Sequence, residues 1–190
     1  MKYRDVHTYL QVFSGEVYFF EVRGEEGAVI DALTRLEERR AFGVDWEAVD
    51  VKVGEVKVGE VRAFELDLTT PVLLVSPRRK EKRKLFTNWP SVVFFSNVVD
   101  VTGTKRGDGM LEEALRELDE ALWEEPSTMS YAKVIYAGKE VVGLMGKLRY
   151  SVVDRKVTSL LSMVLESVVA KGIGSSKRNG FGRVSLKVLA

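Results

Sequence analysis

Four glycines within eleven residues constrain this chain more than any other feature. They fall in the run Lys171-Gly172-Ile173-Gly174-Ser175-Ser176-Lys177-Arg178-Asn179-Gly180-Phe181-Gly182-Arg183-Val184. Before it, Val157, Leu160, Leu161, Val164, Leu165 and Val168 recur at helical spacing; after it, Val184, Leu186 and Val188 alternate as a strand does. A segment so rich in glycine continues neither element, so the backbone must turn between them. Glycine tolerates positive φ and close approach, and successive exposed N–H groups can form a concavity for an anion. Lys177, Arg178 and Arg183 would add charge to such a cradle. The same residues also describe a helix capped at Gly172 followed by a plain turn into an edge strand. Composition alone fits both.

The run is neither a Walker A loop nor a dinucleotide fingerprint. No Gly-Lys-Ser/Thr closes it, and Lys177 stands where the third glycine of a dinucleotide loop would fall. It follows a helix instead of opening one, so the negative end of the helix dipole faces it and opposes phosphate. Anion binding would therefore rest on backbone N–H groups and side-chain cations.

Charge points the same way once it is divided along the chain. Residues 127–190 hold eleven Lys/Arg and three Asp/Glu, a net +8, whereas residues 1–126 hold eighteen and twenty-five, a net −7. That asymmetry is hidden in the total of +1 and suits a polyanionic partner for the last third. Lys147 and Arg149 belong to the excess and would project from one face of a strand. A second run, Arg78-Arg79-Lys80-Glu81-Lys82-Arg83-Lys84, reads as a solvated loop that could hold a polyanion electrostatically. With no cysteine, disulfides, thiolate metal sites and thiol catalysis are excluded; a single histidine excludes a multi-histidine metal site. No metal or other cofactor is expected. No run approaches the ~20 apolar residues that span a bilayer, and Met1-Lys2-Tyr3-Arg4-Asp5 lacks the apolar region of a secretory signal. A cytoplasmic protein with no membrane partner is the expectation.

Periodicity predicts an α+β chain. Val17–Val22 reads as a buried strand, 28–40 as a helix, and Val49-Asp50-Val51-Lys52-Val53 as a strand continuing into hairpins at Gly54 and Gly59. Phe64–Leu68 alternates and runs to Pro71. Residues 89–101 are apolar and fit a strand by propensity. Residues 111–123 form a helix with Leu111, Leu115, Leu118 and Leu122 in register. Tyr131–Tyr136 and Val141–Val153 form a hairpin about Gly138-Lys139, and Asp154 caps the last helix. This order suggests two tandem ferredoxin-like (RRM-like) halves with antiparallel sheets, residues 1–62 abbreviated and residues 63–190 more complete.

A helix, Gly-x-Gly, five residues, then Gly180-Phe181-Gly182-Arg183-Val184 leading into a strand resembles the glycine-rich loop of the RAMP superfamily. Within it the resemblance is to the CRISPR repeat-processing endoribonucleases. Val142-Gly143-Leu144-Met145-Gly146-Lys147-Leu148-Arg149-Tyr150 is similar to the glycine-bearing strand that precedes the final helix there. Phe64-Glu65-Leu66-Asp67-Leu68-Thr69-Thr70-Pro71 is similar to the strand ending in Thr-Pro that opens the second domain. Together these cover residues 64–75 and 129–188; residues 1–60 match only in the order of their elements. The resemblance implies helix rather than strand for residues 89–101.

It also implies an RNA-binding function in CRISPR antiviral defence. Gly172, Gly174, Ser175, Ser176, Lys177, Arg178, Asn179, Gly180, Gly182 and Arg183 would contact RNA, with Lys147 and Arg149 beside them. Tyr131, Tyr136 and Tyr150 are stacking candidates, while Phe181 reads as a hydrophobic plug. The family's cleavage is metal-independent: the 2′-hydroxyl attacks the adjacent phosphate, which needs a general base, a general acid and a cation. His7 is the one side chain with an unperturbed pKa suited to both proton roles, and Tyr9 would share its face in an extended segment. In the family the catalytic histidine lies around the first helix; here that region offers Arg35, Arg39 and Arg40 instead. A non-catalytic RAMP subunit binding guide RNA among CRISPR effector subunits is the alternative. A ferredoxin-like protein-interaction module is a third reading. The Val-rich strands leave a homodimer open.

Overall fold

The computed structural model of the chain describes residues 3–5, 13–18, 24, 26–35, 38–41, 44–79 and 83–189. The chain divides into two compact units, residues 10–56 and residues 1–9 with 57–190. The smaller unit contains helix α1 (Glu26–Thr34) and a hairpin of β2 (Glu38–Ala41) and β3 (Val44–Glu47). Asp31 and Arg35 pair across one turn of α1 at 2.8 Å, and Tyr18 meets the Trp46 ring edge-on.

The larger unit is built on a five-stranded sheet. Its strands are β1 (Tyr3–Asp5), β4 (Ala63–Val72), β7 (Leu122–Tyr136), β8 (Lys139–Val152) and β9 (Val184–Val188), in the order β1-β7-β8-β4-β9. Each neighbouring pair among β7, β8, β4 and β9 is antiparallel, and β1 joins the β7 edge in parallel. Between β4 and β7 lie the short hairpin β5 (Leu74–Val75) and β6 (Lys84–Leu85), then helices α2 (Pro90–Val93), α3 (Phe95–Thr102) and α4 (Gly109–Ala121). Helix α5 (Thr158–Lys171) joins β8 to β9. Strand, helix, hairpin, helix, strand with the outer strands placed this way is the ferredoxin-like arrangement.

Alternation in β4 decides which face of the sheet is covered. Phe64, Leu66 and Leu68 are buried against Val93, Phe94 and Val98 of the α2–α3 segment, Leu111, Leu115 and Leu118 of α4, and Leu161, Val164, Leu165 and Val168 of α5. Phe64, Phe94 and Tyr150 stack within 5.2–6.3 Å at its centre. Tyr150 is fully buried and donates its hydroxyl to the Asn88 carbonyl at 2.7 Å, and burial pushes its pKa well up. It is therefore a core residue and not an RNA-stacking platform. Phe181 is buried, as expected.

Tertiary context overrides local propensity at several places. Residues 90–102 are helical, as the resemblance implied: Pro90 starts α2, and Gly103 at φ 67° closes α3. The helix expected over 28–40 ends at Thr34, because residues 38–41 are claimed by the hairpin ladder with β3. Residues 48–61 form no strand; Val49 and Val53 remain 72% exposed, and alternation without a neighbouring strand gives no ladder. The helix expected to reach Trp123 stops at Ala121, where β7 begins. Of the strand expected over 17–22, residues 19–22 lie outside the described residues. Among the described residues no helix is long and apolar enough to cross a membrane.

Phe64→Ala removes the centre of the aromatic trio. Its expected cost is about 3–5 kcal/mol, read as a lowered denaturation midpoint in chemical unfolding.

Candidate nucleic-acid interface

The glycine segment leaves α5 at Gly172, whose N–H donates to the Val168 carbonyl at 2.8 Å. From there it is knitted into the end of β4. Ile173 N–H donates to the Gly182 carbonyl, Gly182 N–H to the Pro71 carbonyl, and Ser175 N–H to the Leu73 carbonyl, all at 2.8–3.0 Å. Arg183 N–H donates to the Thr70 hydroxyl, while its carbonyl accepts from Thr69 and Thr70 N–H. The two halves of the loop thus close on each other and on the Thr69–Leu73 stretch.

This closure explains the glycines. Gly172, Gly174 and Gly182 all lie at φ near +76°. A Cβ on Gly182 would fall against the Ile173 carbonyl oxygen, one on Gly172 against the Gly182 carbonyl, and one on Gly174 would come within 2.9 Å of the Leu73 carbonyl. Their close approach is to the protein's own backbone. Gly180, at φ 83°, faces open space.

What the loop turns outward is its tip. Ser176 adopts φ 62°, and Lys177–Asn179 form one 3-10 turn closed by Gly180. Asn179 N–H and Gly180 N–H are bonded within that turn, but Ser176, Lys177 and Arg178 N–H have no acceptor among the described residues. Arg178 is exposed and has no partner among the described residues, so the tip holds three successive N–H donors and a guanidinium that an anion could take.

Other side chains brace the loop. The buried Asn97 amide donates to the Gly172 carbonyl at 2.9 Å and to the Ser167 hydroxyl at 3.0 Å. Lys177, read from the sequence as a cation that would contact RNA, has a side chain only 19% exposed and pairs with Asp100 of α3 at 2.9 Å. The Ser175 hydroxyl donates to the Leu73 carbonyl and accepts from the Lys84 ammonium at 3.0 Å. Phe181 sits edge-on to Tyr136 at 5.4 Å and plugs the underside. Asn97 and Asp100 were not singled out in the sequence, and Lys84 was read only as part of the basic run; no local pattern ties the three to the loop, because only the packing of α3 and β6 brings them there.

Lys147 and Arg149 occupy the sheet face away from the helices. Glu65 accepts from Lys147 Nζ at 3.0 Å and from Arg149 Nε at 2.6 Å, with its own side chain only 4% exposed; Asp67 lies 3.8 Å from Lys147. Hydrogen bonds from Arg149 and then Lys147 hold the Glu65 carboxyl below the ordinary carboxylate range, and Glu65 in turn raises Lys147. These cations are neutralised where they stand. His7 and Tyr9 lie outside the described residues, and among the described residues there is no histidine near the loop.

No protein-family model and no curated protein matches the chain. Solved structures do. It is similar to a Cas6 product complex with TM-score 0.62 and 16% identity, over 87% of this chain and 74% of that one. It is similar to Thermus thermophilus Cas6 with TM-score 0.56 and 16% identity, over 67% of this chain and 54% of that one. A RAMP protein described as binding different RNA substrates aligns with TM-score 0.51 and 13% identity, over 86% and 65%. The chain thus spans about half to three-quarters of the length of these structures. At such identities the fold alone is shared: a mixed helix and antiparallel-sheet fold similar to that of these structures.

Gly182→Ala should cost about 3 kcal/mol or more, combining left-handed strain with a carbonyl clash. Gly180→Ala meets strain alone and should cost about 1–2 kcal/mol; denaturant unfolding of the two variants compares them. Because the folded state favours ionised Glu65, its contribution is complete above the ordinary carboxylate pKa near ~4.3 and is lost as pH falls through the lowered value. Glu65→Gln should therefore flatten the acid limb of stability measured between roughly pH 2 and pH 6.

Proposed function

We propose that this chain binds CRISPR repeat RNA at the glycine-loop tip and cuts the precursor transcript into guide RNAs. The observation that carries the reading is the tip itself. Three N–H groups without an acceptor and an exposed Arg178 without a partner among the described residues lie at the tip of a loop whose glycines are fixed from within. The net +8 of residues 127–190 and the fold shared with Cas6 structures support it. Phosphate oxygens accept from such groups, and single-stranded or hairpin RNA presents them with 2′-hydroxyls.

In this reading Ser176, Lys177, Arg178, Asn179 and Arg183 hold phosphate. Gly172, Gly174 and Gly182 shape the loop. His7 supplies the proton transfers, with Tyr9 beside it. A base takes the 2′-hydroxyl proton, the 2′-oxygen bonds to phosphorus, and the bond to the 5′-oxygen breaks as that oxygen is protonated. The products are a 2′,3′-cyclic phosphate and a free 5′-hydroxyl. No metal enters this scheme.

The direct test incubates the protein with the CRISPR repeat RNA of its host in EDTA and resolves bound and cleaved RNA together. Cleavage at one position, abolished by His7→Ala, is the expected result. Tight binding without cleavage replaces the nuclease with a guide-RNA-binding subunit of an effector complex; no binding contradicts the RNA reading. Arg178→Ala should weaken binding roughly tenfold, about the worth of one charge-assisted hydrogen bond, with an unchanged thermal midpoint. Lys177→Ala should lower both affinity and midpoint, since it also loses the Asp100 pair. Equal behaviour of the two variants in both measurements would contradict this division.

A further inference from the structure

Residues 76–79, at the start of the basic run that follows β5, are held in place by a device that the glycine loop does not need. Arg106, in the connection from α3 to α4, donates to the Ser76 carbonyl at 3.0 Å and the Arg79 carbonyl at 3.1 Å, and its guanidinium lies 5.2 Å from the Phe95 ring centre. The Ser76 hydroxyl accepts from Arg78 N–H and Arg79 N–H at 3.3 and 3.2 Å, which fixes the first turn of the run. At the other end, Lys84 pairs in register with Val75 and donates to the Ser175 hydroxyl of the glycine loop. Leu73, just before β5, is bridged to the same Ser175. Lys84 is thus tied to the glycine loop, and residues 76–79 are clamped by Arg106.

That mounting is electrostatically unfavourable by itself. Arg78, Arg79, Arg83 and the clamping Arg106 are gathered about one short hairpin and its neighbour, and Glu112, 3.3 Å from Arg78, is the acid paired with these four among the described residues. Arg79 and Arg83 are exposed and have no partner there. Like charges brought together raise the energy of the folded state unless a counter-anion covers them. A clamp that fixes Arg78 and Arg79 beside further cations fits a polyanion with regularly spaced charge.

We infer that the β5–β6 arm is a second phosphate-backbone site: Arg79 and Arg83 contact the RNA strand on one side of the segment held at the glycine-loop tip, and Arg106 is the positioning residue that presents them. This rests on the RNA reading above and extends its footprint beyond the loop. The contacts are to phosphate, so they add affinity without sequence preference. Arg106 acts through its planar fork on two carbonyls, which an ammonium does not reproduce.

The test is the salt dependence of binding to a labelled stem-loop RNA with single-stranded flanks, using the full chain. Two lost contacts at roughly 0.7 each should lower the log–log salt slope by about 1.4 in the double variant Arg79→Gln, Arg83→Gln. Arg106→Lys, with charge conserved, should also lower the slope. The control Arg155→Gln, Lys156→Gln removes two cations from the far end of α5, about 21 Å away along a helix of 14 residues, and should keep the wild-type slope. If the wild type binds and the arm variants match it, or the control falls equally, the arm is not a site. An unchanged slope in Arg106→Lys, whatever its stability, removes the positioning role. A wild type that binds no RNA overturns this inference and the proposed function together.

Discussion

The candidate site depends on one knot of main-chain hydrogen bonds. Pro71 and Leu73 carbonyls accept from Gly182 and Ser175, and the Arg183 carbonyl accepts from Thr69 and Thr70. The β4–β8 register shifts between Leu68 and Val72, which frees the Thr69–Pro71 backbone to meet the loop instead of continuing the ladder. β8 accommodates this from the other side: a Cβ on Gly143 would lie 2.6 Å from the Pro71 side chain. Thr-Pro, the glycine-bearing strand and the glycine loop are distant in sequence and adjacent here. They are one structural feature seen three times.

That coincidence gives the glycines a different meaning from the one their composition suggests. Glycine-rich loops that cradle phosphate use the missing side chain to admit a ligand. Here Gly172, Gly174 and Gly182 admit the protein's own carbonyls, so the RNA contact proposed for the loop falls to Ser176–Gly180 and to cations around it. The dipole of α5 points its negative end at this loop. The surface is therefore assembled from N–H groups and guanidinium groups with little help from the helix. Lys177 and Lys84 are tied to Asp100 and Ser175, so their positions are fixed before any ligand arrives.

Much of the larger unit was legible in the sequence because its signals are strongly periodic. Phe64–Leu68, the Leu111–Leu118 register and the final strand occur as read, whereas β7 starts at Leu122 and not at 131, and Asp154 caps a 3-10 turn over 155–157 ahead of α5, which starts at Thr158. The valines of 49–53 misled, since alternation marks a strand only where a second strand accepts its hydrogen bonds. Tyr150 misled as a surface aromatic because nothing in its neighbours announces that Asn88 waits for its hydroxyl. Lys147 and Arg149 were legible as cations but not as partners of Glu65, which lies more than eighty residues away along the chain. The Arg106 clamp was invisible for the same reason. Long-range polar pairing leaves no periodic trace.

The most direct measurement is amide hydrogen exchange of the full chain with and without repeat RNA. Ser176, Lys177 and Arg178 N–H have no protein acceptor among the described residues, so they should exchange quickly in the free chain and slow when phosphate occupies the tip. Ile173, Ser175 and Gly182 N–H, already bonded, should be protected in both states. Slowing at 176–178 on RNA addition is the predicted result. RNA binding that leaves those three amides unchanged would contradict the account.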